Sequence, residues 1–183
     1  MRRFLFPALL ALPLAVATAA CDDGIGLSDP LIARDTSMII AAPTASATLP
    51  SAIDFSQLAL RRPEQLQDAS QWDFTLRQEG ETLRFVPNPF DIASRHPLIL
   101  KSTEAFADIE RAPTARSAYG DTAIVLQEGG VYVMRSRQYP TSAGTFCYSY
   151  SKMEVVDLDP EAGTAELNVK ANFGCVDDRL EPE

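Results

Sequence analysis

The acidic residues Asp157, Asp159 and Glu161 recur at alternate positions, the spacing with which a calcium loop begins. Such a loop needs a glycine sixth and an acid twelfth, and Ala162 and Asn168 stand there, so the run reads as a solvated turn. Ser149 and Lys152 match the bare S-x-x-K of penicillin-recognising serine enzymes. That chemistry requires the two side chains one helical turn apart, whereas a strand sends residues three apart to opposite faces. His96 is the single histidine; alone it builds neither a typical metal site nor a relay with a second histidine, and it reads as a loop residue. Arg135 and Arg137, two apart after a strand-like VYVM, fall on one side of their strand. They are candidate anion contacts, expected in so acidic a chain to neutralise nearby carboxylates. The sequence contains no G-x-S-x-G, nucleotide loop, histidine pair or C-x-x-C. The reading is of a non-enzymatic chain, with dispersed carboxylates the remaining catalytic option.

Three cysteines are present, Cys21, Cys147 and Cys175. Pairing Cys147 with Cys175 across an antiparallel hairpin centres the turn on Glu161. That residue lies inside Asp159-Pro160-Glu161-Ala162-Gly163, whose proline and later glycine are the chemistry of a turn ending in a left-handed residue. Two independent signals therefore select one register. One face opposes Val155 to Leu167, Met153 to Val169 and Ser151 to Ala171, and is expected to be buried. The other carries Phe146, Tyr148, Tyr150, Lys152, Lys170 and Asn172, a candidate contact surface. Lys152 opposite Lys170 is unfavourable unless Glu154 and Glu166 form a salt-bridge ladder, or an anion is held between the two lysines and Tyr150.

The elements around this hairpin are also mainly β. Gln71 to Val86 reads as a second hairpin with a two-residue loop at Glu79-Gly80, opposing Leu76 to Leu83 and Phe74 to Phe85. Thr122 to Tyr139 reads as a third, turning at Glu128-Gly129-Gly130. One short helix is expected over about 103–112, with Thr103 as cap and Pro113 after its end. Antiparallel hairpins with one short helix predict a sheet, sandwich or open barrel. Residues 37–42 read as a short strand and 28–33 as a helical turn. The small, proline-rich stretch 41–52 reads as a tether, which makes 53–183 a single β-rich domain.

At the start, Arg2 and Arg3 precede an apolar run from Phe4 to Val16 and then small residues, the layout of an export signal over 1–20. The run is too short and too interrupted by Pro7 and Pro13 to be a good membrane span. Thr18-Ala19-Ala20-Cys21 resembles the lipobox of bacterial lipoproteins. The resemblance implies that Cys21 is acylated, becomes the N-terminus and anchors the chain to a membrane facing the periplasm. It also accounts for the odd cysteine. Asp22 and Asp23 resemble an inner-membrane retention signal, and the choice between inner and outer membrane stays open. Losing Arg2 and Arg3 takes the net charge from −9 to −11, which disfavours nucleic acid and anionic lipid surfaces as partners.

Trp72-Asp73-Phe74, Gly130 to Ser136 and Tyr150-Ser151-Lys152-Met153 with the strand pair that follows resemble the HmuY-like haem-binding lipoproteins over residues 72–173. The resemblance implies an all-β, envelope-anchored protein. It implies haem as a ligand only if methionine or tyrosine replaces one of the two histidines of that family's best-known site. The sequence thus points to a lipid-anchored, non-enzymatic binding or assembly module with an envelope protein as partner. A small-ligand carrier, with haem as its sharpest form, is the alternative, and an envelope hydrolase comes third.

Overall fold

The computed structural model describes residues 35–65, 67–89 and 95–182. The export signal, Cys21 and the helical turn read at 28–33 lie outside the described residues. In chain order the strands are β1 (Thr36–Ala41), β2 (Ala52–Asp54), β3 (Ala59–Arg61), β4 (Phe74–Glu79), β5 (Thr82–Pro87), β6 (Leu98–Lys101), β7 (Ile124–Val125), β8 (Val131–Arg135), β9 (Tyr139–Pro140), β10 (Phe146–Cys147), β11 (Tyr150–Asp159) and β12 (Thr164–Asn172). They form one five-stranded sheet in the order β1-β12-β11-β8-β6, a second in the order β3-β2-β4-β5-β7, and the small β9-β10 ribbon. All pairings are antiparallel, as the alternating sequence patterns require.

The two large sheets pack face to face. Met38 and Ile40 of β1, Tyr132 and Met134 of β8, Met153 and Val155 of β11, and Leu167 and Val169 of β12 meet Ile53, Phe74, Leu76, Leu83 and Phe85 of the second sheet in one core. Phe74 stacks on Phe85 at 5.9 Å and meets Phe55 edge-on at 6.2 Å. Each large apolar side chain so buried contributes roughly 1.5–3 kcal/mol, and the period-two spacing is what lets one strand contribute several. The first sheet carries a third layer on its other face. There Phe106, Ile109, Ala112 and Leu180, from the segment after β6 and from the C-terminal tail, cover Val131, Val133 and Tyr150.

The β11-β12 hairpin keeps the expected register from Tyr150↔Asn172 to Val155↔Leu167. A bulge at Val156 then adds a residue, so that Asp157 instead of Val156 faces Glu166. Asp159 Oδ1 accepts from Ala162 N at 2.8 Å, and Gly163 closes the turn at φ +63. A side chain at Gly163 would also meet Ala45 Cβ at 2.5 Å. Glycine is therefore required for conformation and for space. In the β4-β5 hairpin the loop is Gly80-Glu81, and Leu76 faces Phe85. Gly80, at φ +63, takes the first loop position, where primed turns demand a left-handed residue. The shift moves the pairing by two residues and leaves every inward face unchanged.

Three expectations are corrected. The strand read at 37–42 is β1, paired along β12, but 41–52 is not a tether, because Ala41, Ala42, Ser51 and Ala52 are buried and Ala41 N donates to Pro50 O at 3.0 Å; the ordered unit begins before 53. The third hairpin is not one, because β7 pairs with β5 and β8 lies between β11 and β6 in the other sheet. All five β8 residues are buried, which demands a central position. Glu128-Gly129-Gly130 carries the chain between sheets, pairing with Val155 through Gly129 N at 2.8 Å and Gly130 O at 3.0 Å. The helix over 103–112 is reduced to a single 3-10 turn, Phe106–Asp108. A lone short helix is marginal, and its polar backbone groups are committed elsewhere: Ala112 N to Asp178 O and Leu180 N to Glu110 O, both at 2.7 Å.

Arg137 ties the two sheets at one end. Leaving the first sheet just beyond β8, its guanidinium reaches Asp54 Oδ1 at 3.0 Å, Asp54 Oδ2 at 3.2 Å and Asp73 Oδ1 at 3.2 Å. Both carboxylates are fully buried. Removing one partner of a buried ion pair strands the others. Arg137→Met is therefore expected to lose about 3–5 kcal/mol of unfolding free energy in a urea titration.

Candidate functional site

Of the face expected to carry Phe146, Tyr148, Tyr150, Lys152, Lys170 and Asn172, the ladder holds Tyr150, Lys152, Lys170 and Asn172 in the expected register, while Phe146 pairs with Pro140 of β9 instead of Val176, and the middle of the face is not open. Tyr150, Lys152 and Asn172 are fully buried, which corrects their assignment to a contact surface. Their polar atoms explain how the cover is held. Lys152 Nζ donates to Phe106 O at 2.7 Å, Ile109 O at 3.0 Å and Glu181 Oε1 at 2.5 Å, using all the donors an ammonium has. It also lies 4.7 Å from the centre of the Phe106 ring. Asn172 receives Gly174 N at 2.7 Å and donates to Arg179 O at 2.8 Å, folding the tail back across β12.

Lys170 is partly buried and bonds Glu181 Oε2 at 2.5 Å and Asp35 at 3.4 Å. The opposed lysines thus do hold an anion between them, and the anion is the tail's Glu181. Glu154 makes no ion pair among the described residues, and Glu166 receives Ser37 Oγ at 3.0 Å, so the expected ladder is replaced. Burial works against ionisation of Glu181, but the two ammonium groups outweigh it and hold its carboxyl below the usual range. In the same tail the Arg179 guanidinium lowers Asp177, with Arg179 Nε at 3.0 Å from Asp177 Oδ1.

What stays accessible is the end of this face. Phe146 is 49% exposed and Val176 50% exposed; they flank Cys147 and Cys175, whose Cα atoms are 5.3 Å apart with the sulfurs at disulfide distance. Val176 N donates to Tyr148 O at 3.0 Å, and Val176 sits at φ +59, a conformation unfavourable for a β-branched residue. Tyr148 is half-buried. The Arg135 guanidinium lies 4.4 Å from the centre of its ring, and the Arg95 guanidinium lies 4.5 Å from that of Phe146. Tyr150 meets Tyr148 edge-on at 5.5 Å. Burial, with Tyr148 beside it, pushes the Tyr150 phenol up to about 12. Burial likewise raises Tyr119, whose hydroxyl donates to Pro113 O at 2.7 Å. These phenols are hydrogen-bond donors, not charges, at any physiological pH.

The two arginines do not share a side. Arg135 is the cross-strand neighbour of Tyr150 on the outer face, while Arg137, past the strand end, turns to the second sheet and neutralises Asp54 and Asp73 as anticipated. His96 is a part-buried loop residue with Nδ1 3.9 Å from Asp121. Ser149 and Lys152 are both buried, and Ser149 Oγ bonds Tyr139 Oη at 2.8 Å. The S-x-x-K spacing therefore brings no nucleophile to a lysine. Among the described residues no helix is long and apolar enough to cross a membrane. Arg95 and the closing tail were not anticipated from sequence. Comparison of the chain with protein-family models, curated proteins and solved structures returns no match.

The Asp54–Arg137–Asp73 cluster has a pH signature. Both buried carboxylates meet Arg137, Asp54 also meets Arg61 at 3.4 Å, and burial raises Asp73 from 3.8 to about 6, against the attraction of Arg137. Between these values the folded chain holds a proton that the unfolded chain does not, so this group adds stability as pH falls through about 6. Glu181 and Asp177 act in the opposite sense, because their depressed folded values add stability above their ordinary range that is lost as pH falls. Stability is expected to peak between about pH 4.5 and 6. In Asp73→Asn the rise on the alkaline side of that peak should vanish in denaturation measured across pH.

Proposed function

We propose that this is a lipid-anchored protein of the bacterial cell envelope, held through acylated Cys21 and acting as a non-enzymatic binding or assembly module. Its contact surface is the exposed end of the outer face at Phe146, Tyr148 and Val176. The observation that carries the reading is the pair of exposed apolar side chains flanking the cysteine pair, each beside an aromatic–arginine stack or a strained backbone. Aromatic and arginine side chains are enriched where protein surfaces meet. The cysteine pair is a disulfide in the oxidising envelope; bridging a loop of this length stabilises a chain by about 3–4 kcal/mol in the entropy model. In this setting the bridge holds Val176 against its backbone preference and keeps the patch rigid.

Palmitate should label the wild-type chain in cells and not Cys21→Ser. A wild-type protein that leaves the membrane fraction without detergent contradicts the anchor. A photo-cross-linker at Phe146 or Tyr148 should capture an envelope partner in living cells, and one at Glu81, on a hairpin tip far along the other sheet, should not. Equal capture from both places would remove the surface assignment. Cys147 and Cys175 should resist alkylation until reduced; free thiols in protein taken directly from the envelope would refute the bridge. A haem titration that develops a stoichiometric Soret band would favour the small-ligand reading instead.

A further inference from the structure

Among the described residues, every other strongly buried cation is matched. Arg137 faces two carboxylates, and Lys152 uses each of its protons. Arg135 is only 5% exposed, yet no carboxylate lies within ion-pair distance of it among the described residues, and its Nε is buried without a hydrogen-bond partner. Beside it the hydroxyl of Tyr150, fully buried, is also without a partner. A buried guanidinium and a buried phenol left unsatisfied side by side are a costly arrangement. Acidic residues are not scarce in the chain, at 25, so the unpaired state of Arg135 is not a matter of composition.

We propose that Arg135, with the Tyr148 and Tyr150 hydroxyls, receives a carboxylate borne on an apolar body, and that the body lies along Phe146 and Val176. The proposal rests on the reading of this strand end as a contact surface and narrows it to a ligand class. The face of the Arg135 guanidinium is taken by the Tyr148 ring, which leaves its edge for a planar two-oxygen acid, the shape a guanidinium fork fits best. The Tyr150 phenol, kept protonated by its burial, adds a donor without adding repulsion. Arg95 stacks on Phe146, likewise with no ion pair among the described residues. Two guanidinium groups therefore border the site, and Asp178, the carboxylate that acts on Tyr150, is already paired with Arg111 at 2.8 Å. The half-exposed Phe146 and Val176 supply apolar contact beyond the head group.

Ligand-observed NMR on the full chain tests this with 3-phenylpropanoate, its uncharged amide, acetate and inorganic phosphate. The acid should bind, with the amide and acetate each at least tenfold weaker. Arg135→Lys should weaken the acid at least tenfold with the melting temperature nearly unchanged. Arg135→Met should abolish binding and raise the melting temperature, because it removes an unpaired buried charge; a purely structural Arg135 would make the same variant melt lower. N-acetylphenylalanine separates the two sources of such a group. Tighter binding than 3-phenylpropanoate assigns the carboxyl end of a peptide, and weaker binding assigns a small free acid, either order upholding the site. Equal binding of acid and amide, phosphate outcompeting the acid, or a lower melting temperature for Arg135→Met with binding retained would overturn it. Capture of a partner from Phe146 together with no binding of the acid would refute this inference and leave the contact surface standing. Binding of the acid with no capture would do the reverse.

Discussion

A single guanidinium bears on the relative placement of the two sheets. Arg137 follows the end of β8 in one sheet, and both of its acids belong to the other, Asp54 in β2 and Asp73 just before β4. Asp73 also accepts from the backbone amides of Phe55 at 2.6 Å and Arg137 at 2.7 Å, and Asp54 accepts from Ser56. Apolar burial is non-directional, whereas charge-assisted hydrogen bonds fix distances and orientations. The core supplies most of the cohesion, and this cluster specifies the alignment. Arg61 also reaches Asp54, at 3.4 Å, and it is chiefly the burial of Asp73, with Asp54 adding to it against the pull of Arg137, that makes a proton welcome there in mild acid.

A second ionic lock, built differently, closes the outer layer. Lys152 collects two backbone carbonyls from the covering segment and one carboxylate oxygen from the tail, and Glu181 spreads its other oxygen to Lys170. The carbonyls of Phe106 and Ile109 would accept backbone protons in a helix, and position 113, whose amide Ile109 would need, is a proline. Unwinding the segment to one 3-10 turn frees both carbonyls for the lysine. The covering layer therefore depends on a side chain of the sheet beneath it as much as on its own apolar residues.

These locks make the treatment of Arg135 informative. The same sheet satisfies a buried lysine completely and leaves a buried arginine 4.4 Å from a tyrosine ring with no acid in range. Cation–π attraction offsets part of the desolvation but does not supply the in-plane hydrogen bonds that a guanidinium forms. With the apolar side chains flanking the cysteine pair next to it, this strand end brings two unpartnered buried polar groups together, Arg135 Nε and the Tyr150 hydroxyl, and a ligand group has much to contribute there.

The β class, the inward faces of the main hairpins and the β11-β12 register from Tyr150 to Val155 were legible in the residues alone. Alternation, turn chemistry and a cysteine pair are local properties, and a shift of one residue would have put Met153 and Val169 in solvent. The β4-β5 turn was misplaced by one position, yet its faces were right, since a two-residue shift in pairing preserves them. Whether Glu128-Gly129-Gly130 closes a hairpin or crosses between sheets was not legible, because the turn residues are the same in both and only the burial of β8 on two faces decides. Nor was the division of labour between Arg135 and Arg137. Two arginines two apart look equivalent on a strand, but the strand ends between them. Asp54 and Asp73, more than sixty residues away in sequence, meet one of them, and no acid meets the other. Partners that distant are brought together only by the packing of the two sheets, and local pattern carries no record of it.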